Sequence, residues 1–242
     1  MMCGRGRAHA AHGINKYCIC KIERAACNDG GMICMSEDLL MDLERQGVIM
    51  RNDHFVYSSG LHGDAYVNKR LLTTVMTSKI AEIIFQEFMK EEIDIVVAPA
   101  HGAISLGSAL ASKLFQSRTY WFWHLAIANK SDQGFAFDFY DQKRLTGNKI
   151  LVIEDVLTTG ASILKVVELV RAHGGDVAGV AAFCNRGGVT ADKIGDVPKL
   201  FSVINFSFQT WSADACPLCS QGITIRTDVG HGADFILKGD KS

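Results

Sequence analysis

The chain of 242 residues has little proline, almost no net charge and no long apolar run. Three prolines beside 23 glycines argue against long disordered linkers. A formal net charge of −1 supplies no general field for binding nucleic acid. No apolar stretch reaches the roughly 18–20 residues that cross a bilayer. We therefore expect neither a nucleic-acid partner nor a membrane partner. The 48% hydrophobic and 21% charged residues predict a folded globular protein.

The eight cysteines are distributed unevenly, and five of them lie in the first 34 residues. No hydrophobic signal segment precedes them, so we predict a reducing cytoplasmic setting with free thiols rather than disulfides. Residues 1–35 also carry excess basic charge without apolar periodicity. They are interpreted as a poorly ordered extension, with a transit peptide as the alternative.

The rest of the chain alternates between strand-like and helix-like patterns. The continuous apolar runs indicate a parallel sheet covered by helices on both faces, in which ligands bind at the carboxyl ends of the strands. The predicted strands are 93–98, Thr119–Ala126, Lys149–Ile153 and Val177–Phe183. One helix is predicted to begin at Ser36, and three more are predicted at 77–90, Ala103–Phe115 and Ser162–His173. Residues 55–59 and 65–69 are predicted as two short strands, and 129–146 as a long polar loop.

The stretch ILVIEDVLTTGAS, residues 150–162, carries the strongest functional pattern. If the strand ends at Ile153, the carboxylates of Glu154 and Asp155 emerge at its tip, where they can accept hydrogen bonds from a diol. Residues 158–162 then lead into a helix whose first N–H groups and dipole favour an anion, and Gly160 allows close approach. A plain helix cap beside solvated acids is the alternative. The full pattern favours a ribose 5-phosphate site.

This pattern resembles the PRPP-binding signature of the type I phosphoribosyltransferases. The resemblance implies an α/β fold in which helices flank a parallel sheet, with a core at about 75–200 and a small hood from 36–74 and 201–235, all within a domain at 36–242. It also implies that two acids bind the ribose hydroxyls and that the following residues surround the 5-phosphate. The implied PRPP-binding residues are Glu154, Asp155, Val156, Leu157, Thr158, Thr159, Gly160, Ala161 and Ser162.

Three further segments resemble the orotate phosphoribosyltransferases: FVYSSGLHGDAYVNKRLL (55–72), VVAPAHGAISLGSALA (96–111), and Trp211 with CPLCSQG (216–222). The resemblance implies transfer of 5-phosphoribose from PRPP to orotate, Mg²⁺ held mainly through PRPP, no metal bound by the protein alone, and a homodimer. Glu154, Asp155 and Lys130 are the implied catalytic residues. The implied pyrophosphate-binding residues are Ala100, His101, Gly102 and Lys130, and the implied base-binding residues are Phe55, Ser58, Lys69 and Arg186.

The chain departs from that subfamily in two places. His101 stands where many relatives carry a lysine, and a neutral imidazole donates only one hydrogen bond. In the loop predicted at 129–146, Lys130 is the one cation at a position comparable to the loop cations of that subfamily. Lys143 and Arg144 follow later in the loop and are interpreted either as substitutes or as solvated charges. The aromatic residues of 135–140 suit a lid or a subunit contact. A purine or other base, and a non-catalytic PRPP or nucleotide sensor, therefore stay open as alternatives.

Cys216 and Cys219 form a CxxC pair, which is half of a zinc site or a redox pair. No second pair follows, and His231 is the only histidine downstream. A zinc site would need ligands from elsewhere in the chain, so the interpretation favours free structural thiols.

Overall fold

The computed structural model describes residues 35–117, 124–132, 134–206 and 208–239. Of the predicted extension at 1–35, residues 1–34 lie outside the described residues, and Met35 is the first residue of a helix. The helices are α1 (Met35–Arg45), α2 (Thr74–Phe88), α3 (Ile104–Ser117), α4 (Phe139–Leu145), α5 (Ala161–Ala172), α6 (Pro217–Ser220) and α7 (Gly232–Gly239). The strands are β1 (Ile49–Val56), β2 (His62–Val67), β3 (Ile95–Pro99), β4 (His124–Ser131), β5 (Gly134–Ala136), β6 (Lys149–Leu157), β7 (Asp176–Asn185), β8 (Leu200–Asn205) and β9 (Thr210–Trp211). None of the helices in these ranges has both the length and the apolarity to cross a membrane.

The main sheet has the strand order β5-β4-β3-β6-β7-β8. Strands β4, β3, β6, β7 and β8 run parallel, and β5 pairs antiparallel with β4 at one edge. The predicted α/β class with a parallel sheet is therefore confirmed. Strand β8, which the sequence patterns did not predict, carries this sheet past residue 200 to Asn205.

Side chains alternate across β6 and build a hydrophobic core on each face of the sheet. Leu151 and Ile153 belong to the core beneath α2 and α3, whereas Ile150 and Val152 belong to the core beneath α5. All four are fully buried. This double burial explains why the strand reads as a continuous apolar run instead of an alternating one.

Strand β6 is longer than predicted. Its parallel pairing with β7 continues through Glu154, Val156 and Leu157. The expectation that the strand ends at Ile153 is therefore wrong, and both carboxylates project from the strand itself. The ladder hydrogen bonds fix their backbone, which orients the acids more firmly than a loop would.

The predicted long loop at 129–146 is also wrong. Residues 129–131 of β4 pair antiparallel with 134–136 of β5, and Phe139–Leu145 forms α4. Asp138 caps this helix because its side chain accepts hydrogen bonds from Tyr140 N and Asp141 N, at 2.9 and 2.8 Å. Phe137 and Leu145 are buried, so apolar packing fastens the segment to the main sheet.

A second sheet has the order β1-β2-β9, and we call it the hood sheet. Strands β1 and β2 pair antiparallel as the two predicted short strands require, with Phe55 opposite Gly63. The third strand comes from the far end of the chain, where Trp211 pairs with His62. Beginning and end of the described chain thus meet in one small sheet.

Candidate active site

A cavity of about 420 Å³ lies at the carboxyl ends of the central strands. Because β3 and β6 are parallel neighbours, the turn after Pro99 and the end of β6 meet at the same edge of the main sheet. The cavity is lined by Lys69, Pro99, Ala100, His101, Gly102, Lys130, Phe135, Glu154, Asp155, Val156, Leu157, Thr158, Thr159, Gly160, Ala161, Ser162 and Ile163. Four stretches that are distant in sequence therefore share one concave surface.

Two acids of β6 occupy the floor of this cavity. Asp155 is buried and forms an ion pair with the ammonium group of Lys69. Its other carboxylate oxygen accepts a hydrogen bond from Val156 N at 2.6 Å. Glu154 accepts one from Asp155 N at 3.0 Å. The two carboxylates are thereby held side by side, with one of them neutralised by a cation from the hood.

The environment shifts the acidity of Glu154. Burial, reinforced by the negative charge of Asp155, raises the pKa of Glu154 to about 8, and the charge of Lys69 opposes that shift. Ionising two neighbouring carboxylates in a partly desolvated site is unfavourable, because the two negative charges repel each other. The site without ligand therefore holds a proton that an incoming hydrogen-bond donor or cation would displace.

The turn between β3 and α3 approaches these acids closely. A Cβ atom on Gly102 would lie 2.0 Å from Asp155 Oδ2 and 2.9 Å from Lys69 Nζ. Only glycine fits there without displacing the ion pair. His101 is exposed at the neighbouring position and also lines the cavity. Ala100, His101 and Gly102, three of the four residues predicted to bind pyrophosphate, thus share this cavity with the acids predicted to bind ribose.

The N-terminus of α5 closes another side of the cavity. Gly160 precedes the helix with φ of +81°, and no side chain caps the helix there. A Cβ atom at that position would also lie 2.9 Å from Ile194 Cγ2. Ala161 N donates to Thr159 Oγ1 at 3.3 Å. The N–H groups of the next residues in the first turn have no partner within the helix, and the helix dipole favours an anion at this end. The arrangement has the chemistry of a phosphate site.

Residues predicted to bind the base lie at different depths. The Arg186 guanidinium stands 4.9 Å from the ring centroid of Tyr57 and donates to Thr158 Oγ1 at 3.4 Å. Ser58 is exposed in the turn after β1. Phe55, by contrast, is fully buried and stacks on Tyr66 with ring centroids 5.6 Å apart. Its side chain lies in the hood and is not among the residues that line the cavity, so contact between Phe55 and the base stays a prediction.

Tyr57 is the residue in this region that the sequence interpretation missed. Its hydroxyl donates to Ala65 O at 2.5 Å, and burial raises the pKa of Tyr57 to about 12. The phenol therefore stays protonated and fixes the ring beneath Arg186. The signal was present in the FVYSS segment, where Tyr57 is the aromatic residue that follows Phe55 by two positions.

Cations on the β4–α4 segment are divided between the cavity and the surface. Lys130 lies on β4 and lines the cavity, opposite Phe135 of β5. Lys143 instead lies over the Phe139 ring, 4.1 Å from its centroid, on the helix surface. Neither Lys143 nor Arg144 lines the cavity within this chain. Lys130 is thus the loop cation that the structure places beside the acids.

The family model of the phosphoribosyl transferase domain matches residues 64–218. The chain belongs to the phosphoribosyltransferase family. It is accordingly a transferase enzyme with the type I phosphoribosyltransferase fold, and the sequence-based identification of that family is confirmed.

Curated relatives narrow the comparison. The chain is 30% identical over 193 residues to an orotate phosphoribosyltransferase of Caldicellulosiruptor saccharolyticus, with 79% of this chain and 95% of that protein covered. It is 31% identical to the Caldicellulosiruptor bescii protein of the same name, covering 79% and 96%. The similarity therefore extends over nearly the full length of both relatives.

Solved structures agree on the fold. The orotate phosphoribosyltransferase of Aeropyrum pernix is 23% identical with a TM-score of 0.55, covering 69% of this chain and 93% of that one. The adenine phosphoribosyltransferase of Thermoanaerobacter pseudethanolicus is 16% identical with a TM-score of 0.53, covering 68% and 99%. Because the two scores are close, backbone similarity alone does not distinguish the bases.

Proposed function

We propose that the protein is an orotate phosphoribosyltransferase that transfers 5-phosphoribose from PRPP to orotate, giving orotidine 5′-phosphate and pyrophosphate. The observation that carries the proposal is the meeting, in one cavity, of paired acids, a phosphate-binding helix N-terminus and a second anion-binding turn. The similarity to orotate enzymes over 79% of the chain supports orotate as the base.

The proposal gives each part of PRPP a place in the cavity. The 5-phosphate would bind at residues 158–162 against the α5 N-terminus. The ribose hydroxyls would donate to Glu154 and Asp155, and the pyrophosphate would lie along residues 100–102 near Lys130. Arg186 does not itself line the cavity, but it donates to Thr158, which does, and it packs over the Tyr57 ring. The base would extend from the anomeric carbon towards this pair. A planar guanidinium there suits the carboxylate or the carbonyl oxygens of orotate.

The donor set fits magnesium. The cavity presents two carboxylates, which are hard oxygen ligands, and Mg²⁺ is usually bound through one or two carboxylates together with waters and substrate phosphates. Glu154 and Asp155 are the residues that would help hold it with PRPP. When bound, it neutralises the negative charge that collects on the departing pyrophosphate.

The protein's own residues orient the two substrates and stabilise the leaving group. A nitrogen of the base attacks the anomeric carbon as the bond to pyrophosphate breaks, and no protein nucleophile is required. Backbone N–H groups of the 100–102 turn and the Lys130 ammonium would stabilise the leaving group, which is the electrostatic contribution that usually dominates such catalysis. Phe135 lines the cavity next to its strand partner Lys130, and its apolar ring would help to exclude water, which would otherwise hydrolyse PRPP.

A homodimer is part of the proposal. Orotate enzymes resembling this chain complete the pyrophosphate site with loop cations of the neighbouring subunit, and this cavity holds one loop cation of its own, Lys130. Phe139 and Tyr140 are 62% and 70% exposed on α4, a surface suited to a subunit contact. Light scattering of the purified chain tests the assembly, and a monomer at working concentration would contradict it.

The base remains the point to test, because the loop departs from the orotate pattern and the fold is shared with an adenine enzyme. Pyrophosphate release from PRPP should be measured with orotate, adenine, guanine and hypoxanthine in parallel. We expect release with orotate alone, and none with the double variant Glu154→Gln, Asp155→Asn. Release with a purine alone would establish the alternative specificity. Binding of PRPP without release for any base would establish a regulator instead.

A further inference from the structure

Four side chains of metal-binding type converge on the hood, away from the PRPP cavity. The ligand atoms of His54, His62, Cys216 and Cys219 all lie within 4.8 Å of one another. Both histidines are fully buried and Cys216 is almost so, while Cys219 reaches the surface. None of the four lines the cavity described above. The transferase reaction therefore gives no account of this cluster.

The fold brings the four together by strand pairing. His54 lies on β1, and His62 begins β2 on the opposite side of the hairpin. Trp211 of β9 pairs with His62, which delivers the following residues to the same place. Cys216 then precedes the short helix α6 as its N-cap residue, and Cys219 lies within that helix, after which the chain turns at Gly222 with φ of +68°. A CxxC turn is the usual way in which two thiols face one metal ion.

The separations match a tetrahedral site. Zinc with sulfur ligands at ~2.3 Å and nitrogen ligands at ~2.0–2.1 Å places neighbouring ligand atoms roughly 3.3–3.8 Å apart. The Cys216 Sγ to His54 Nε2 distance is 3.6 Å, and those from Cys219 Sγ to His54 Nε2 and His62 Nδ1 are 3.8 and 3.3 Å. The two ring nitrogens, at 2.8 Å, are somewhat closer. A small outward shift of one imidazole completes the geometry.

The protonation of the histidines points the same way. His54 Nδ1 lies 2.7 Å from Ile223 O, so this nitrogen carries the hydrogen and Nε2 presents its lone pair to the cluster. A backbone carbonyl that accepts from the distal nitrogen is the usual orienting contact of a metal-bound histidine. His62 Nε2, in turn, is buried without a hydrogen-bond partner beside the Phe235 ring.

The segment that carries the thiols has almost no hydrophobic core of its own. Among residues 211–237, whose side chains are all described, only Cys216 and Gly232 are buried. Two backbone hydrogen bonds, Arg226 N to His54 O and His231 N to Val56 O, join this tail to β1. A segment this poor in apolar contacts needs another cross-link to hold a fixed position.

We propose that His54, His62, Cys216 and Cys219 form a structural zinc site that fastens the C-terminal segment to the β1–β2 hairpin. All four positions are protein ligands, so the site is closed and has no coordination position for a substrate. The two thiols bind as thiolates, and their protons are released to solvent when the ion binds. The mixed sulfur and nitrogen donor set favours zinc over magnesium or calcium, which prefer oxygen. This proposal is independent of which base the enzyme uses.

The test is metal analysis of the full chain, expressed in zinc-replete medium without a histidine tag. We expect about one zinc ion per chain in the wild type. Five cysteines precede Met35, so variants must assign the ion. Cys216→Ser and Cys219→Ser should each lose most of it. His231→Ala, which changes an exposed histidine of the same tail paired with Asp234, is the matched control and should keep it.

Two further measurements protect the test against variants that fail to fold. Cobalt substituted into the wild type should show the intense visible absorption of a tetrahedral thiolate site. A chelator should lower the melting temperature of the wild type, and added zinc should restore it. Wild-type protein without zinc, a Cys216–Cys219 disulfide in the freshly purified chain, or undiminished zinc in the folded Cys216→Ser, Cys219→Ser double variant would each overturn the proposal.

Discussion

Lys69 and Asp155, 86 residues apart in sequence, form an ion pair inside the cavity. Lys69 begins the turn after β2 of the hood, and Asp155 lies on the central strand of the main sheet. The pair therefore connects the hood directly to the acids that we assign to ribose. Because Lys69 also opposes the upward pKa shift of Glu154, it controls how much negative charge the cavity floor presents.

Replacing Lys69 should impair turnover. Lys69→Met keeps the aliphatic stem but leaves Asp155 without its cation. We expect kcat/KM for PRPP to fall by about 10²-fold, the size typical of losing one preorganised electrostatic contact. Lys79→Met, which removes an exposed lysine paired with Asp42, is the control and should leave kcat/KM unchanged. Wild-type kinetics in Lys69→Met would contradict the assigned role.

PRPP affinity should rise with pH through the pKa of Glu154. Ribose hydroxyls donate to a carboxylate, so PRPP prefers the ionised acid, while burial holds the pKa of the free site at about 8. Affinity should therefore increase from pH 6 towards pH 8 and level off above it. Isothermal titration in buffers of different ionisation enthalpy should detect the released proton. Glu154→Gln should remove that release, although the titration of PRPP itself persists.

The same group predicts how stability changes with pH when PRPP is absent. Its ordinary pKa is 4.5, and the folded protein raises it to about 8. Between these values the native state binds more protons than the unfolded chain, so the free energy of unfolding falls as pH rises. Denaturant titrations across this interval should show a weaker decline for Glu154→Gln than for the wild type. An identical decline in both proteins would contradict the shift.

Adding one methyl group at Gly102 should strongly reduce catalytic activity. The new Cβ of Gly102→Ala would meet Asp155 Oδ2 at 2.0 Å, so either the turn or the ion pair must move. We expect kcat/KM for PRPP to fall by about 10²-fold or more, since catalysis is sensitive to ångström displacements. Ser105→Ala, an exposed position one turn further along, is the control. Circular dichroism should show that both variants are folded.

Replacing Arg186 should affect binding of the base, whereas replacing Tyr57 should affect the stability of the fold. Arg186→Ala should raise the KM for the base while PRPP affinity changes little, with exposed Arg45→Ala as the control. Tyr57→Phe keeps the ring beneath Arg186 but leaves the buried carbonyl of Ala65 unpaired. It should cost about 1–3 kcal/mol of unfolding free energy with a small change in KM. Equal changes of KM in both variants would contradict this division.

Local patterns predict the parallel sheet, which is confirmed, whereas PRPP binding by residues 150–162 stays a prediction. Residues 150–162 carry both signals at once, because a buried parallel strand needs a continuous apolar run and a phosphate site needs glycine and hydroxyls in the next turn. The place where β6 ends was missed since Glu154 and Asp155 look like surface residues, whereas pairing with β7 keeps them in the strand. Asp138 was an available capping signal for α4 that was not used.

The cysteine cluster shows where a single sequence falls short. The sequence favours free thiols at Cys216 and Cys219 because no second cysteine pair follows them and His231 is the only histidine downstream. Their neighbours His54 and His62 lie 162 and 157 residues earlier, and strand pairing alone brings them near. Similarly, the spacing of Phe55 and Tyr57 does not show which of the two lies nearer to the base site, because both side chains are buried in the hood.

The joining of β9 to β2 also sets an order for synthesis on the ribosome. All strands of the main sheet have been translated once Asn205 is reached, but the hood sheet still lacks its third strand, which begins at Thr210. The β1–β2 hairpin, which is translated first, therefore gains its third strand only after the main-sheet strands have been translated. In a nascent chain the main sheet is therefore able to assemble before the hood sheet is complete.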